Sequence, residues 1–404
     1  MNKSNLSPSV AKIGLILTGG GARAAYQAGA LRAIAAMLPE SRRSPFSIIC
    51  GTSAGAINAA ALAASTGNFQ RGVRHLVSMW SNLHVNQVYR SDFMGVLLNG
   101  IRLLFTLLFH RNTAVSLLNS APLAKLLGRI LPFHNIQKNI QNGTLHGLSI
   151  TAWSYSSEKS VTFYQSINTI IPWDRARRTG IPVHIDVKHL IASSAIPLIF
   201  PAEKIDSNYF CDGSMHQFAP ISPALHLGAE RVMIITTQNR TAIQPDSKIK
   251  NYPPLARVIG HFMSSALLDS LDNDLERLQS INQAISLASK ESLQCNAPLR
   301  PIQSMVISPS EDIGKIAERH TQTLPRFMRL LFGAIGAIGY ADSTLVSYLL
   351  FEQSFCQDLI NLGYQDAMSR KNEILQFIET KDRNAEIVST VSYTHLTLPT
   401  ICSV

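Results

Sequence analysis

The chain has 404 residues, 46% hydrophobic and 15% charged, with a formal net charge of +10. That balance excludes a disordered chain, which needs low hydrophobicity and high charge. With 23 Gly and 19 Pro it is neither collagen-like nor low-complexity, and 5 Cys are too few for a disulfide scaffold; the length suits one large α/β domain with an appendage, or two domains.

The start, Met1 to Val10, is polar, and the first apolar run, Ile13–Leu17, stops at three glycines, so no signal peptide is expected and the chain reads as cytoplasmic. Lys12–Thr18 predicts a buried strand. Ala24 to Leu38 predicts an alanine-rich helix, with Tyr26, Leu31, Ile34 and Leu38 at helical spacing. Phe46–Cys50 predicts a second strand and Ala54 to Ala64 a second helix, closed near Gly67-Asn68. This alternation is that of a parallel α/β sheet.

Residues 71–138 read as helical, leucine-rich and basic, without clear strands. They hold 8 Lys and Arg against Asp92 alone, a balance of +7. Residues 1–200 together hold 19 basic and 5 acidic residues, whereas residues 201–404 hold 17 and 21. Half of the first part's surplus thus sits in this insert. Its densest apolar stretch, 93–109, is interrupted by Asn99 and Arg102 and is short of the roughly twenty apolar residues of a spanning helix. It reads as an interfacial or core-packed helix, and the basic, leucine-rich composition points to an anionic membrane surface. Nucleic acid is the other polyanion to weigh, but no recognition motif is present and the bases alternate with aliphatic residues.

Strands resume at Leu148–Ser154 and Val161–Tyr164, an expected hairpin. Val187 to Ala195 predicts a short helix, Tyr209–Cys211 a short strand, and Arg231–Thr236 a buried strand. A long helix is expected over Ile259 to Leu287, a last strand at Ser304–Ile307, and helices throughout Glu311 to Ile378. Within these, 330–339 is a second apolar stretch with glycine at every third position, open to a membrane-facing or a packed reading. The expected domains are a catalytic unit over 1–310, carrying the insert 71–138, and a helical C-terminal region over 311–390. Residues 391–404 are set apart: Val391 to Thr400 match one reading frame of a transposon-library sequencing adapter, so the natural sequence is expected to stop near Thr390.

Three motifs carry chemistry. Gly51-Thr52-Ser53-Ala54-Gly55 fits G-x-S-x-G, the nucleophile elbow. The glycines let a strand turn sharply into a helix, which exposes the serine Oγ at a helix N-terminus whose free N–H groups favour developing negative charge. Gly19-Gly20-Gly21-Ala22-Arg23 follows the first strand, and adjacent glycines can present backbone N–H groups to an oxyanion. The same loop satisfies G-x-G-x-x-A, but the next strand ends at Cys50-Gly51 without the acidic residue that a dinucleotide site needs, and no phosphate-loop Gly-Lys-Ser/Thr follows. Asp212-Gly213, after Tyr209-Phe210-Cys211, places a carboxylate at a strand end, where it can orient or deprotonate a serine; an Asp-Gly turn is the plain alternative. A histidine triad in the order Ser…Asp…His is also open through His216 or His226. Cys50 and Cys211 should point away from these residues by strand alternation. No Cys/His spacing resembles a zinc site, and no metal or other cofactor is expected.

Together these motifs resemble the patatin-like phospholipase family. The resemblance extends to Tyr26-Gln27-Ala28-Gly29-Ala30-Leu31, to Ser193-Ser194-Ala195-Ile196-Pro197-Leu198-Ile199-Phe200-Pro201, and to Pro220–Ala224 through Gly228-Ala229, in family order over residues 12–237. It implies a three-layer α/β sandwich with a mostly parallel central sheet, and a Ser53–Asp212 dyad without an intervening histidine. It also implies an oxyanion hole from Gly19, Gly20, Gly21, Arg23 and Ala54, an elbow framed by Gly51 and Gly55, and an Asp-Gly motif continued by Gly213 and Ser214. Two positions depart from the family pattern: Ala24 stands where Gly is usual, and Ser214 where Gly or Ala is usual. The implied activity is hydrolysis of phospholipid or other acyl-ester lipid, peripheral at an inner membrane surface. A catalytically silent membrane-associated scaffold of the same fold is the alternative, against which the complete motif set argues.

Overall fold

A computed structural model of the chain describes residues 12–40, 43–90, 116–217, 219–240, 255–287, 301–334, 336–338 and 344–380. The apolar stretch 93–109 and the adapter-like residues 391–404 lie outside the described residues.

Among the described residues ten strands form one sheet: β1 (Ile13–Leu17), β2 (Ile48–Thr52), β3 (Gly147–Ser154), β4 (Lys159–Ser166), β5 (Trp173–Arg175), β6 (Arg178–Pro182), β7 (Glu203–Ile205), β8 (Asn208–Asp212), β9 (Arg231–Ile235) and β10 (Gln303–Ile307). The main path runs β10-β9-β1-β2-β3-β4-β6-β5, with β8 pairing with β3 and β7 with β8. From β10 to β3 every pairing is parallel. The hairpin β3–β4 then reverses direction, as the sequence predicts.

The central strands are apolar on both faces because both are covered. Leu15 and Leu17 of β1, with Met233 and Ile235 of β9, enter one core, and Ile16, Val232 and Ile234 enter the other. The first core is filled by α1 (Ala25–Met37), α2 (Ala54–Ala63), α3 (Phe69–Ser81) and the C-terminal helix Gln353–Ser369. The second is covered by helices Ser222–His226 and Leu255–Leu287, the latter through Leu271, Leu275 and Leu278. These are three layers, with a central sheet that is mostly parallel. The alanines of α1 and α2 let both helices lie close on the sheet: every residue of α2 is buried. The C-terminal helices share this core. Tyr26 Oη donates to Asp366 Oδ2 at 3.0 Å, and the Arg32 guanidinium lies 5.1 Å from the Tyr364 ring centre.

Two expectations change. The second strand spans Ile48–Thr52 rather than Phe46–Cys50, because Gly51 and Thr52 still pair with Ile150 and Thr151 of β3. Strands β5, β6 and β7 are not expected from the sequence at all. Helix Arg326–Ala334, which carries the first half of the apolar stretch 330–339, buries Met328 and Phe332 and leaves Leu330 exposed. Among the described residues no helix is long and apolar enough to cross a membrane.

Candidate active site

Strand β3 has two partners along its inner edge. β2 runs parallel to it as far as Thr52 opposite Thr151, and β8 comes in antiparallel to end at Asp212 opposite Ala152. The two strands abut, so Ser53, the first residue past β2, meets Asp212, the last of β8. Ser53 Oγ donates to Asp212 Oδ2 at 2.5 Å. Both residues are buried, at 4% and 2% exposure.

Ser53 has φ 55° and ψ −132°, a left-handed conformation that a residue with a Cβ adopts only when its surroundings impose it. Gly55 allows the close turn: a Cβ there would lie 2.3 Å from the Leu17 carbonyl oxygen. The Ser53 N–H donates to Ser193 Oγ at 2.8 Å, and Ser193 Oγ donates in turn to the Thr151 carbonyl at 2.6 Å. Ser193 ends helix Val187–Ser193, whose start is capped by Asp186 and His189. Ser193 therefore fixes the elbow, and the sequence reading gave it no role. Its signal was present in the Ser193–Pro201 run.

Asp212 Oδ1 accepts the Ser214 N–H at 2.8 Å. Burial pushes the Asp212 carboxyl up from 3.8 to about 6, against the opposing pull of the bonds from Ser53 and Ser214. Cys50 and Cys211 are buried as expected, and burial pushes their thiols up to about 12 and about 11, which leaves them protonated and unreactive. Neither histidine bonds to the pair among the described hydrogen bonds. The His216 ring lies 4.4 Å from that of Trp153, and His226 stacks on Trp173 at 4.4 Å.

The glycine loop lies against the pair. A Cβ on Gly19 would stand 3.0 Å from Ser53 Cβ, and Thr237 Oγ1 ties the loop down by donating to the Gly19 carbonyl at 2.7 Å. Gly21 and Ala54 are each the first residue of a helical turn, so their N–H groups have no intrahelical acceptor. Arg23 keeps its place in the loop but turns its buried side chain elsewhere. Nε donates to Ser347 Oγ at 2.6 Å, the other nitrogens reach Gln238 Oε1 and the Thr344 carbonyl, and the guanidinium lies 4.2 Å from the Tyr348 ring centre. Arg23 thus holds the loop to the C-terminal segment rather than facing Ser53.

Ser53, Ala54 and Gly21 open onto a narrow cleft. Its other walls are nearly all apolar, among them Ile57, Trp80, Leu83, Leu127, Ile196 and Phe351. Ser194 Oγ is a buried polar atom on this wall that finds no protein partner among the described residues. No cluster of three His, Cys, Asp or Glu gathers among the described residues.

The family model for patatin-like phospholipases matches residues 15–225, just over half of the chain. The chain belongs to the patatin-like phospholipase family. The family region carries both Ser53 and Asp212, the glycine loop and Ser193. It stops short of the Tyr348 and Phe351 side of the cleft. No curated protein matches the chain in sequence. Among solved structures the chain is similar to human GIVD cytosolic phospholipase A2 in complex with methyl gamma-linolenyl fluorophosphonate, at 11% identity and TM-score 0.43, covering 94% of this chain and 60% of that one. It is also similar to VipD from Legionella pneumophila, at 10% identity and TM-score 0.36, covering 91% and 67%. A third is ExoU in its complex with SpcU from Pseudomonas aeruginosa, at 15% identity and TM-score 0.25, covering 92% and 72%. The chain thus spans about 60% of the length of the phospholipase A2 it matches.

Proposed function

We propose that the chain is a serine lipid acyl hydrolase that uses Ser53 as nucleophile and Asp212 as its only general base. The observation that carries this reading is the 2.5 Å bond from Ser53 Oγ, which lines an apolar cleft, to a desolvated Asp212 carboxylate. Ser53 Oγ attacks the ester carbonyl carbon while its proton passes to Asp212 Oδ2. The N–H groups of Gly20, Gly21 and Ala54 hold the oxyanion. Collapse of the intermediate expels the alcohol, which takes the proton back from Asp212 and leaves acyl-Ser53. Water, deprotonated by the same carboxylate, then releases the fatty acid. A carboxyl near 6 suits both duties at neutral pH, since it is ionised when attack begins and acidic enough to return the proton. The cleft takes the acyl chain. Lys125 and Arg129, exposed on helix Ala121–Ile130 whose Leu123, Leu126 and Leu127 line the cleft, favour approach to an anionic lipid surface from that side.

The test is release of fatty acid from phospholipid vesicles and of nitrophenol from short acyl esters, with products identified. Wild type should turn over both, and Ser53→Ala should fall by at least about a thousandfold. Folded wild type that cannot be told from Ser53→Ala would replace this reading with the silent scaffold.

A further inference from the structure

The cleft has one wall that comes from outside the family region. It starts at Ser53 and Ala54 and runs along α2 past Ile57. Trp80 Nε1 donates to Asn58 Oδ1 at 2.7 Å, which seats the indole against α2 five residues beyond Ser53, about 7.5 Å along the helix axis at 1.5 Å per residue. There the Trp80 ring stacks on Phe351, with centroids 6.3 Å apart and planes at 17°. Tyr89 meets Phe351 edge-on at 6.3 Å, and its hydroxyl donates to the Leu349 carbonyl at 2.9 Å. Trp80 and Phe351 thus form an aromatic wall of the cleft about a helical turn and a half from Ser53, backed by Tyr89 and bonded on one side to α2 and on the other to residues 344–351.

That segment is not free to retreat. Ser347 accepts from Arg23 of the glycine loop, Gln238 Nε2 donates to Tyr348 Oη at 2.6 Å, and the Tyr348 carbonyl lies so close to Gly21 that a Cβ there would stand 2.2 Å from it. A wall fixed this firmly cannot yield to a longer ligand without disturbing the loop beside Ser53.

We infer that residues 344–351, through the Phe351–Trp80 stack, set the length of acyl chain that the cleft accepts. This deepens the hydrolase reading above and rests on it. Each methylene buried in the cleft favours binding by about fourfold, and each one beyond the wall gains nothing. Phe351→Leu removes three side-chain carbons from the wall, room for about two more methylenes in a close-packed cleft. Leu83→Phe adds three carbons on another wall and shortens the usable length.

The experiment measures kcat/KM for nitrophenyl esters of acids from butyrate to palmitate, with Ser53→Ala as the blank. In Phe351→Leu the preferred length should rise by about two carbons, and the ratio of long-chain to short-chain kcat/KM should rise about fifteenfold. In Leu83→Phe both should move the other way. If wild type is active and each variant scales all esters by one common factor, the inference is wrong and the hydrolase reading stands. A second readout needs no turnover: affinity for terminally brominated fatty acids, read by quenching of tryptophan fluorescence. It should climb with chain length, break at the wall, and break later in Phe351→Leu. The same slope in both proteins, with no break, overturns the inference whether or not any ester is cleaved.

Discussion

Asp212→Asn separates the chemistry of the site from its energetics. The substitution keeps the shape, lets Oδ1 go on accepting the Ser214 N–H, and removes a charge that the fold holds out of water. Burial moves the carboxyl from 3.8 to about 6, which corresponds to about 3 kcal/mol against the ionised form. The folded state therefore binds the proton more tightly than the unfolded chain does. Stability must fall as pH rises from about 4 through 6 and level off above about 7. The asparagine variant has no such charge. It should match wild type near pH 4 and exceed it by up to about 3 kcal/mol at pH 8, or roughly 3 to 4 °C for a chain of this size. Activity should fall by at least about a thousandfold, and the acid limb of wild-type kcat/KM should bend near pH 6. Thermal melts of both proteins at half-unit steps from pH 4 to pH 8 give the comparison. A variant less stable than wild type at pH 8, or a stability gap that does not change with pH, would refute the reasoning, because either result means that the ionised carboxylate is not disfavoured in the fold.

Three further substitutions test the geometry. Gly19→Ala puts a Cβ 2.2 Å from Ser214 Oγ and 3.0 Å from Ser53 Cβ, so kcat should drop about a hundredfold while the melting temperature changes little; unchanged kcat would show that the loop does not crowd the pair. His216→Ala should keep kcat/KM within about threefold of wild type, because the ring lies against Trp153 and bonds to neither Ser53 nor Asp212; a loss as deep as that of Ser53→Ala would restore a histidine triad. Arg23→Met leaves Gln238 Oε1 without its donor and takes the Nε–H from Ser347 Oγ in a buried network, and should lower stability by about 2–4 kcal/mol in urea unfolding; a cost under about 0.5 kcal/mol would mean that the loop is not held from that side.

The first helices and strands are legible because alanine, glycine and short apolar runs leave few alternatives there. The end of β2 is not. Gly51 reads as a stop, yet it pairs with Leu17 on one side and Ile150 on the other, and the pairing with β3 carries the strand on through Thr52, up to Ser53. Strands β5 and β6 are hidden for the opposite reason. They sit at the sheet edge, and the run Trp173-Asp174-Arg175-Ala176-Arg177-Arg178-Thr179-Gly180 has a charged, half-exposed surface with no alternation to read. Ser53 and Asp212 are legible as residue types through the family resemblance. Their contact spans 159 positions and depends on two strands meeting end to end on a third, which no local pattern records. The aromatic wall is less legible still: Trp80 and Phe351 read as ordinary helix-face apolar residues, and only the fold makes them neighbours.

The position of the site follows from the sheet order. β1 has β9 on one side and β2 on the other, so the chain leaves its neighbourhood in opposite directions, and a crevice must open at the carboxyl ends of these strands. The glycine loop continues β1, Ser53 continues β2, and Thr237 and Gln238 continue β9. Thr237 and Gln238 both serve the loop, one through the Gly19 carbonyl and the other through Arg23. The crevice brings costs with it: a left-handed serine, a desolvated carboxylate, and a buried guanidinium whose described partners are all uncharged. Such features persist only where the surroundings over-determine them. Here the alanine-rich α2 holds one side, and residues 344–351, packed on the loop and on the cleft at once, hold the other. The C-terminal helices therefore belong to the site's support as much as the family region does, and the Arg23 network is where the two are joined.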